Sequence, residues 1–293
     1  MEGWSKPELL AELDVYQREL QREGIDERIA SLHVEHARMF VAWLERRVGA
    51  ASTVSMNPPR RASIDGPSGP GLPPKLRELI SVFVAAGKPE QEGFAWPRGR
   101  WIAAFPEHAS MLHGLPPRLD RDALRSACER ASQDRESAEQ AFLAVMAWGF
   151  GNVGYGPFRT RRVLTDTPNA RRRLWTVAGT LAARGPIAAY RQLADPRDAR
   201  LRWLGPAFGT KFLYFCQPAG IHQQALILDE TVATWLHREL GLDLQPTRWS
   251  VSSYSSYLDL FGRWAAELEC APEDIEYCIF QAMADERGTQ WAR

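Results

Sequence analysis

An eight-residue motif, Leu204-Gly-Pro-Ala-Phe-Gly-Thr-Lys211, interrupts a chain whose patterns are otherwise mostly helical. Gly205 and Gly209 allow the backbone to turn tightly and to approach a phosphate where a side chain would block it. Lys211 is then expected just inside the next helix. Asp229 follows the lysine by eighteen residues and starts another helical pattern, where its side chain can cap the helix. The motif therefore predicts two helices joined by a glycine turn, with an amine and a carboxylate near helix starts.

Helical periodicity accounts for most of the remaining sequence, and almost nothing is typical of a β-sheet. The predicted helices cover residues 7–22, 26–48, 75–86, 120–132, 137–150, 167–183, 186–193, 211–216, 230–240, 253–268 and 272–284. The segment 137–150 is apolar on nearly all sides, which is typical of a buried helix. The segment 94–105 is a candidate for extended structure. The glycine-rich segment 149–157 is interpreted as a loop that brings backbone close to a ligand or to another helix. The fold class is thus mainly α.

Proline, glycine and serine dominate residues 51–74, a composition that no helix or central strand tolerates. This stretch is predicted to be a linker or a long loop. It separates an N-terminal helical region, residues 1–50, from a larger domain, residues 75–293. A chain of 293 residues with 45% hydrophobic content can bury the core that such a domain needs.

Four cysteines lie at positions 128, 216, 270 and 278, without C-x-x-C pairs or the tight run of an iron–sulfur site. Reduced cysteines are the simplest interpretation, and we expect no iron–sulfur cluster, no metal and no other cofactor. No apolar run reaches the roughly 18–20 residues of a membrane span, and the first residues lack the features of a signal peptide. We therefore expect a cytoplasmic monomer that does not bind a membrane.

Charge is distributed very unevenly along the chain, although the formal net charge is zero. Residues 141–225 contain twelve Lys or Arg and three Asp, a net charge of +9, whereas residues 226–293 have a net charge of −7. Two arginine clusters stand out in the basic segment: Arg159, Arg161 and Arg162, and Arg171, Arg172 and Arg173. Such clusters are suited to neutralising phosphates of a nucleic acid. The alternative is a solvated helix face.

The order helix, glycine hairpin, helix with an early lysine, apolar run and Asp at a helix start resembles the helix-hairpin-helix DNA glycosylases. It is most similar to their 8-oxoguanine glycosylase-fold branch, in which the hairpin reads Leu-Pro-Gly-Val-Gly-Thr-Lys. The matching residues here are Leu204, Gly209, Thr210, Lys211 and Asp229. The hairpin of this chain carries one extra residue, and its first glycine precedes the proline. The likeness covers residues 120–284 and is strongest over residues 202–235.

The resemblance implies a helix-hairpin-helix DNA glycosylase fold with an N-terminal helical extension, and double-stranded DNA carrying a modified base as the partner. Cleaving an N-glycosidic bond develops positive charge on the deoxyribose, and a carboxylate such as Asp229 would stabilise it. An unprotonated amine at Lys211 could attack the anomeric carbon and form a Schiff base. Taken alone, Asp229 could be an ordinary N-cap and Lys211 a lysine that contacts phosphate. The residues expected to bind DNA are Gly205, Phe208, Gly209, Thr210, Arg159, Arg161 and Arg162.

Enzymes of this type extrude the target base from the duplex, fill the gap and hold the base in an aromatic pocket. The resemblance places Trp148, Asn152 and Tyr155 in the segment that fills the vacated stack, with Asn152 as the inserted residue. It places Phe280 and Gln281 in the element that contacts the flipped base. A purely structural role in packing is the alternative for the aromatic residues among them.

Two features distinguish the chain from the repair enzymes it resembles. Its N-terminal region is predicted to be helical, where the repair enzymes carry a β-rich domain, and the glycine-rich segment could enlarge the base pocket. Both argue against routine repair of oxidised guanine. Some bacterial members of this fold resemble antiphage defence glycosylases that remove hypermodified cytosine, such as glucosylated hydroxymethylcytosine, from phage DNA, and this resemblance favours the same substrate here. The alternatives are an 8-oxoguanine repair glycosylase/lyase and a noncatalytic helix-hairpin-helix DNA-binding protein.

Overall fold

The computed structural model describes residues 13–15, 18 and 69–286. The chain divides into two compact units, Met1–Arg60 and Arg61–Arg293, and the fold below is that of the second. The predicted N-terminal helical region and nearly all of the predicted linker lie outside the described residues, apart from four helical positions, 13–15 and 18. The boundaries proposed for those regions therefore stay predictions.

The second unit is mostly helical, which confirms the predicted mainly-α class. Its helices are α1 (Pro74–Ala85), α2 (Arg98–Ala104), α3 (Ala109–Gly114), α4 (Arg121–Cys128), α5 (Arg135–Phe150), α6 (Gly156–Asp166), α7 (Ala170–Arg184), α8 (Pro186–Ala194), α9 (Pro206–Cys216), α10 (Glu230–Leu240), α11 (Val251–Leu268) and α12 (Pro272–Glu286). Two strands of two residues, β1 (Phe94–Ala95) and β2 (Arg118–Leu119), pair antiparallel. In the part of the chain that the structure describes, this pair is the whole of the β structure.

Helix α5 lies at the centre of the unit and packs against α4, α6, α7 and α9. Its residues 141–148 are all buried, as its apolar character on every side predicts. Asp134 caps the first turn by accepting a hydrogen bond from the Ser137 N–H at 2.8 Å. The helix ends at Gly151, whose φ of 52° is in the left-handed region that glycine tolerates. Helix α5 thereby places Trp148 and Gly149 beside α9.

Helix α9 begins earlier than the sequence indicates. It starts at Pro206, which is at N1 with its φ already suited to a helix, whereas the prediction placed the start at Lys211. Gly209 donates its N–H to the Gly205 carbonyl at 3.0 Å, so the second glycine of the motif is helical rather than part of the turn. Lys211 therefore lies in the second turn of the helix.

Two further segments differ from the prediction. The prediction of extended structure over residues 94–105 is wrong beyond Phe94–Ala95. Trp101 and Phe105 are four residues apart, so they lie on the same side of α2 and of the residue that follows it. Both side chains are buried there, and their rings stack. The glycine-rich segment is a loop only over residues 151–155, and helix α6 begins at Gly156 where no helix was predicted. Pro157 in the first turn of α6 accounts for that start.

No described helix has both the length and the apolar character needed to cross a membrane.

Candidate active site

Lys211 and Asp229 form a direct ion pair. Lys211 Nζ lies 2.9 Å from Asp229 Oδ2, and the lysine side chain is 10% exposed and the aspartate 17%. The second carboxylate oxygen, Oδ1, accepts hydrogen bonds from the Thr231 and Val232 N–H groups at 3.0 and 3.3 Å. Asp229 is therefore the N-cap of α10, as predicted, and it also holds the amine.

Two buried tyrosines of α11 position the apolar run that leads into Asp229. Tyr254 donates its hydroxyl hydrogen to the Leu226 carbonyl at 3.0 Å, and Tyr257 donates to the Ile227 carbonyl at 2.8 Å. These carbonyls belong to an irregular segment and would otherwise lack partners in the core. The tyrosines thus anchor the backbone just before the carboxylate.

The environment of Asp229 keeps its carboxylate ionised. Burial alone raises the pKa of this group, but the Lys211 ammonium and the two backbone hydrogen bonds outweigh burial and leave the pKa below its ordinary value. A charged carboxylate at neutral pH can stabilise positive charge that develops near it.

The ion pair lies on the wall of a cavity of about 230 Å³. The cavity is lined by Gln91, Phe94, Arg121, Trp148, Gly149, Lys211, Ile227, Asp229, Thr231, Glu276, Phe280 and Ala284. Phe94 and Trp148 pack against each other with their ring centroids 6.1 Å apart. Aromatic walls with a few polar groups are typical of a site that binds a flat organic ligand.

A second polar group lines the same cavity. Arg121 is buried and donates from Nη1 to Glu276 Oε2 at 2.8 Å and from Nε to Gln91 Oε1 at 3.2 Å. Glu276 is only 1% exposed. Burial raises the pKa of its carboxyl, and the Arg121 charge offsets part of that increase.

The structure brings together four residues of the predicted site, Lys211, Asp229, Trp148 and Phe280, around one cavity. Asn152, Tyr155 and Gln281 are not among the lining residues. Asn152 is exposed in the loop after α5, and the Tyr155 ring packs on Phe150 with centroids 5.5 Å apart. Gln281 donates to the Tyr277 hydroxyl at 2.5 Å. Their predicted contacts with DNA or with a flipped base stay predictions.

The residues predicted to bind DNA lie on α6 and at the start of α9. Gly205 is the N-cap of α9, and Phe208 packs on Phe150 with ring centroids 4.6 Å apart. Gly209 packs closely against the Trp249 ring. A Cβ added at this glycine would lie 2.4 Å from Trp249 Cη2, which leaves no room for a side chain. The small size of Gly209 thus serves packing in this structure.

The three arginines of α6 differ in their surroundings. Arg161 donates to the Ala104 carbonyl, and Arg162 lies 4.1 Å from the centre of the Trp203 ring and 3.4 Å from Asp166. Arg159 is half-buried. Arg161 and Arg162 therefore have partners within the protein, and their predicted contacts with phosphates stay predictions.

Eight of the twelve lining residues were not predicted as site residues, and four of these are Gln91, Phe94, Arg121 and Glu276. They come from separate parts of the chain, so no local spacing connects them. Glu276 alone has a signal, since it lies between Ile275 and Ile279 on the buried side of α12. A charged residue within an apolar stripe is rarely buried unless it is paired.

No group of three or more His, Cys, Asp or Glu side chains within residues 69–286 is arranged to hold a metal ion.

A mainly helical unit that sets a buried amine–carboxylate pair beside an aromatic cavity is typical of DNA glycosylases. Comparison with known protein families agrees with this class. Residues 87–280 match the family described as "Putative 8-oxoguanine DNA glycosylase OGG-like protein". The match covers well over half of the chain, and the chain belongs to this family. No curated protein and no solved structure matches the chain significantly.

Proposed function

We propose that the protein is a DNA N-glycosylase that flips a modified base into the 230 Å³ cavity and excises it, leaving an abasic site. The observation that carries this proposal is the 2.9 Å contact between Lys211 and Asp229 on the cavity wall. Membership of a DNA glycosylase family supports the reaction class and implies DNA as the partner.

In this mechanism the sugar of the flipped nucleotide lies next to the ion pair. As the bond between C1′ and the base breaks, its electron pair leaves with the base, and positive charge develops on the deoxyribose. The Asp229 carboxylate stabilises that charge from a fixed position. Its hydrogen bonds to Thr231 and Val232 keep the oxygens in place, so little reorganisation is needed as the charge develops.

Lys211 has two candidate roles. As an ammonium it orients Asp229 while water adds to C1′ and loses a proton to the departed base, so no covalent bond to the protein is needed. After passing a proton to the departing base or to water, the neutral amine can attack C1′, and opening of the C1′–O4′ bond, with the proton of the amine moving to O4′, then gives a Schiff base. Loss of a C2′ proton from the Schiff base breaks the C3′–O bond, the 3′ phosphate leaves, and the strand is cleaved. The short contact with Asp229 supports the first role. Trapping a covalent DNA adduct with borohydride tests the second, and the lyase activity is refuted if excision proceeds without any adduct.

We favour a hypermodified cytosine, such as glucosylated hydroxymethylcytosine of phage DNA, as the excised base, and antiviral defence as the role. The resemblance to antiphage glycosylases and the predicted helical N-terminal region support this substrate. The second candidate is 8-oxoguanine in a repair glycosylase/lyase, which the name of the matched family favours.

An assay of base release from three DNAs tests these proposals. The substrates are an unmodified duplex, a duplex with one 8-oxoguanine, and glucosylated phage DNA. Release from the glucosylated DNA is the expected result. Release only from the oxidised duplex would contradict the defence role, and release from none would contradict glycosylase activity.

A noncatalytic DNA-binding protein predicts a different pattern. Asp229→Asn and Lys211→Ala would then leave every product unchanged while DNA binding persists. Binding measured by gel shift at two salt concentrations supplies the comparison, since phosphate contacts weaken steeply with salt. In the catalytic case, Asp229→Asn still binds DNA but releases far less base than the native protein.

A further inference from the structure

Gln91, Arg121 and Glu276 have no part in breaking the glycosidic bond, although they line the same cavity. Their exposed fractions are 8%, 9% and 1%, so all three are withdrawn from bulk water. Glu276 is the least exposed polar residue of the lining. A polar cluster of this depth needs partners for all its donors and acceptors.

Arg121 donates a hydrogen bond to only one of the two polar side-chain atoms of Glu276 and of Gln91. Its Nη1 donates to Glu276 Oε2 at 2.8 Å and to the Tyr214 hydroxyl at 3.0 Å, and its Nε donates to Gln91 Oε1 at 3.2 Å. Glu276 Oε1 and Gln91 Nε2 have no hydrogen-bond partner among the residues that the structure describes. The cavity lining therefore includes one acceptor and one donor that are held in place by the same guanidinium, besides the Trp148 Nε1 donor, which has no partner among the described residues.

We infer that Glu276 and Gln91 read the edge of the flipped base, with Glu276 Oε1 accepting a hydrogen bond from an amino group and Gln91 Nε2 donating to a neighbouring oxygen or ring nitrogen. The substrate class is then a base that carries an exocyclic amino group, of cytosine or guanine type. This inference rests on the proposed function. A keto oxygen in place of the amino group would face a carboxylate oxygen, and two acceptors that meet in a buried site repel each other.

The chemistry of Arg121 makes Glu276→Gln an informative change. Arg121 Nη1 is a donor, so it selects the carbonyl oxygen of the new amide and turns the NH₂ group toward the cavity. The variant would thus present a donor where the native protein presents an acceptor. For pyrimidines the preference should reverse from the amino base to the keto base.

Two pairs of duplexes each compare a base that carries an exocyclic amino group with one that lacks it. One pair contains 5-hydroxymethylcytosine or 5-hydroxymethyluracil, and the other contains 8-oxoguanine or 8-oxohypoxanthine. Each modified nucleotide carries a 2′-fluoro substituent, which prevents excision, so that binding is measured by competition without turnover. We expect the native protein to prefer the amino member of at least one pair by about tenfold, the size of one good base contact.

Glu276→Gln should abolish the preference in the purine pair and reverse it in the pyrimidine pair. The matched control is Glu273→Gln, the same chemical change one turn earlier on α12. Glu273 pairs with Arg125, accepts a hydrogen bond from the Tyr214 hydroxyl at 2.7 Å, and lines the neighbouring cavity of about 120 Å³ rather than the 230 Å³ cavity. The control should leave every preference unchanged.

Gln91→Leu provides a second variant outside the helices, should Glu276→Gln not fold. Loss of its donor should weaken binding of the preferred amino duplex by about tenfold, and loss of the oxygen that accepts from Arg121 Nε should also lower thermal stability. Equal binding of amino and keto duplexes by the native protein would overturn the inference, as would an unchanged preference in Glu276→Gln. If the native protein prefers the amino duplexes but releases no base from the same DNAs without the 2′-fluoro substituent, the glycosylase proposal is contradicted. The inference that Glu276 and Gln91 recognise the base would then still hold.

Discussion

The Thr210 hydroxyl accepts a hydrogen bond from the Leu228 N–H at 3.1 Å, and this bond joins the residue before Lys211 to the residue before Asp229. Thr210 is fully buried, and its hydroxyl also donates to the Ala207 carbonyl one turn back, at 3.1 Å. One side chain thus ties α9 to the strand-like run that carries the carboxylate. We expect the distance between Lys211 Nζ and Asp229 Oδ2 to depend on this tie.

Thr210→Val should therefore lower both stability and activity. Valine keeps the shape but leaves the buried Leu228 N–H without an acceptor, which costs about 1–3 kcal/mol of unfolding free energy. Urea denaturation and base release measure the two effects. Thr160→Val is the matched control, since Thr160 is equally buried and its hydroxyl, among the described residues, bonds only to the Gly156 carbonyl within its own helix. Equal effects of the two changes on base release would contradict a positioning role for Thr210.

Asp229→Asn should reduce base release by about 10²–10³-fold, because the amide keeps the N-cap oxygen and loses the charge. The protein should remain folded by circular dichroism. Asp134→Asn makes the same substitution at the N-cap of α5, where the aspartate accepts from Ser137. Base release by the control should match that of the native protein. A comparable loss in both variants would point to capping rather than to charge.

Acid should remove the stability that Asp229 contributes. Its pKa is lowered in the folded protein, so its contribution is present above the ordinary Asp pKa of about 3.9 and is lost as pH falls through the folded value. The gap in unfolding free energy between the native protein and Asp229→Asn should therefore be larger at neutral pH than at pH values below about 4. Urea denaturation across this range measures the gap, and a gap that does not change with pH would contradict the assignment.

The contribution of Glu276 to stability should depend on pH in the opposite direction from that of Asp229. Burial raises the pKa of its carboxyl above the ordinary Glu value of about 4.3, so its contribution is present at acid pH and is lost as pH rises through the folded pKa. The native protein should thus lose stability relative to Glu276→Gln as pH increases from acid toward neutral. The two variants are compared in the same denaturation series.

Gly149→Ala should disturb the site through packing. An added Cβ would lie 2.5 Å from Phe208 Cε1 and 3.4 Å from Lys211 Cδ, so the ring must move against the lysine stem. Gly179→Ala is the control, because a Cβ at this glycine in α7 meets nothing within 4 Å. Alanine in a helix interior should stabilise the control by about 0.5–1 kcal/mol. The temperature of thermal unfolding and the rate of base release should both decrease for Gly149→Ala. A gain of stability equal to that of the control would contradict the close packing of Gly149 against Phe208.

Local patterns predicted the helices that carry the site, but less reliably where they begin. The buried α5 and the cap at Asp229 depend on neighbours within one or two turns, so periodicity and side-chain chemistry identify them. The start of α9 at Pro206 and helix α6 were missed, because glycines in both segments indicate a loop although their small size serves helix packing. Gly156 shows this, since its Cβ would lie 2.8 Å from Phe150 Cβ.

The sequence by itself determined the mainly helical class, the family resemblance and the pairing of Lys211 with Asp229, because helix periodicity, caps and motif spacing are properties of short segments. Only the tertiary structure decided what faces that pair. Gln91, Arg121 and Glu276 meet at the cavity although they lie far apart in the chain, and burial makes their mutual hydrogen bonds decisive. These three groups are buried together, so they must form hydrogen bonds with one another. Because they come from distant parts of the chain, no local sequence pattern predicts this cluster.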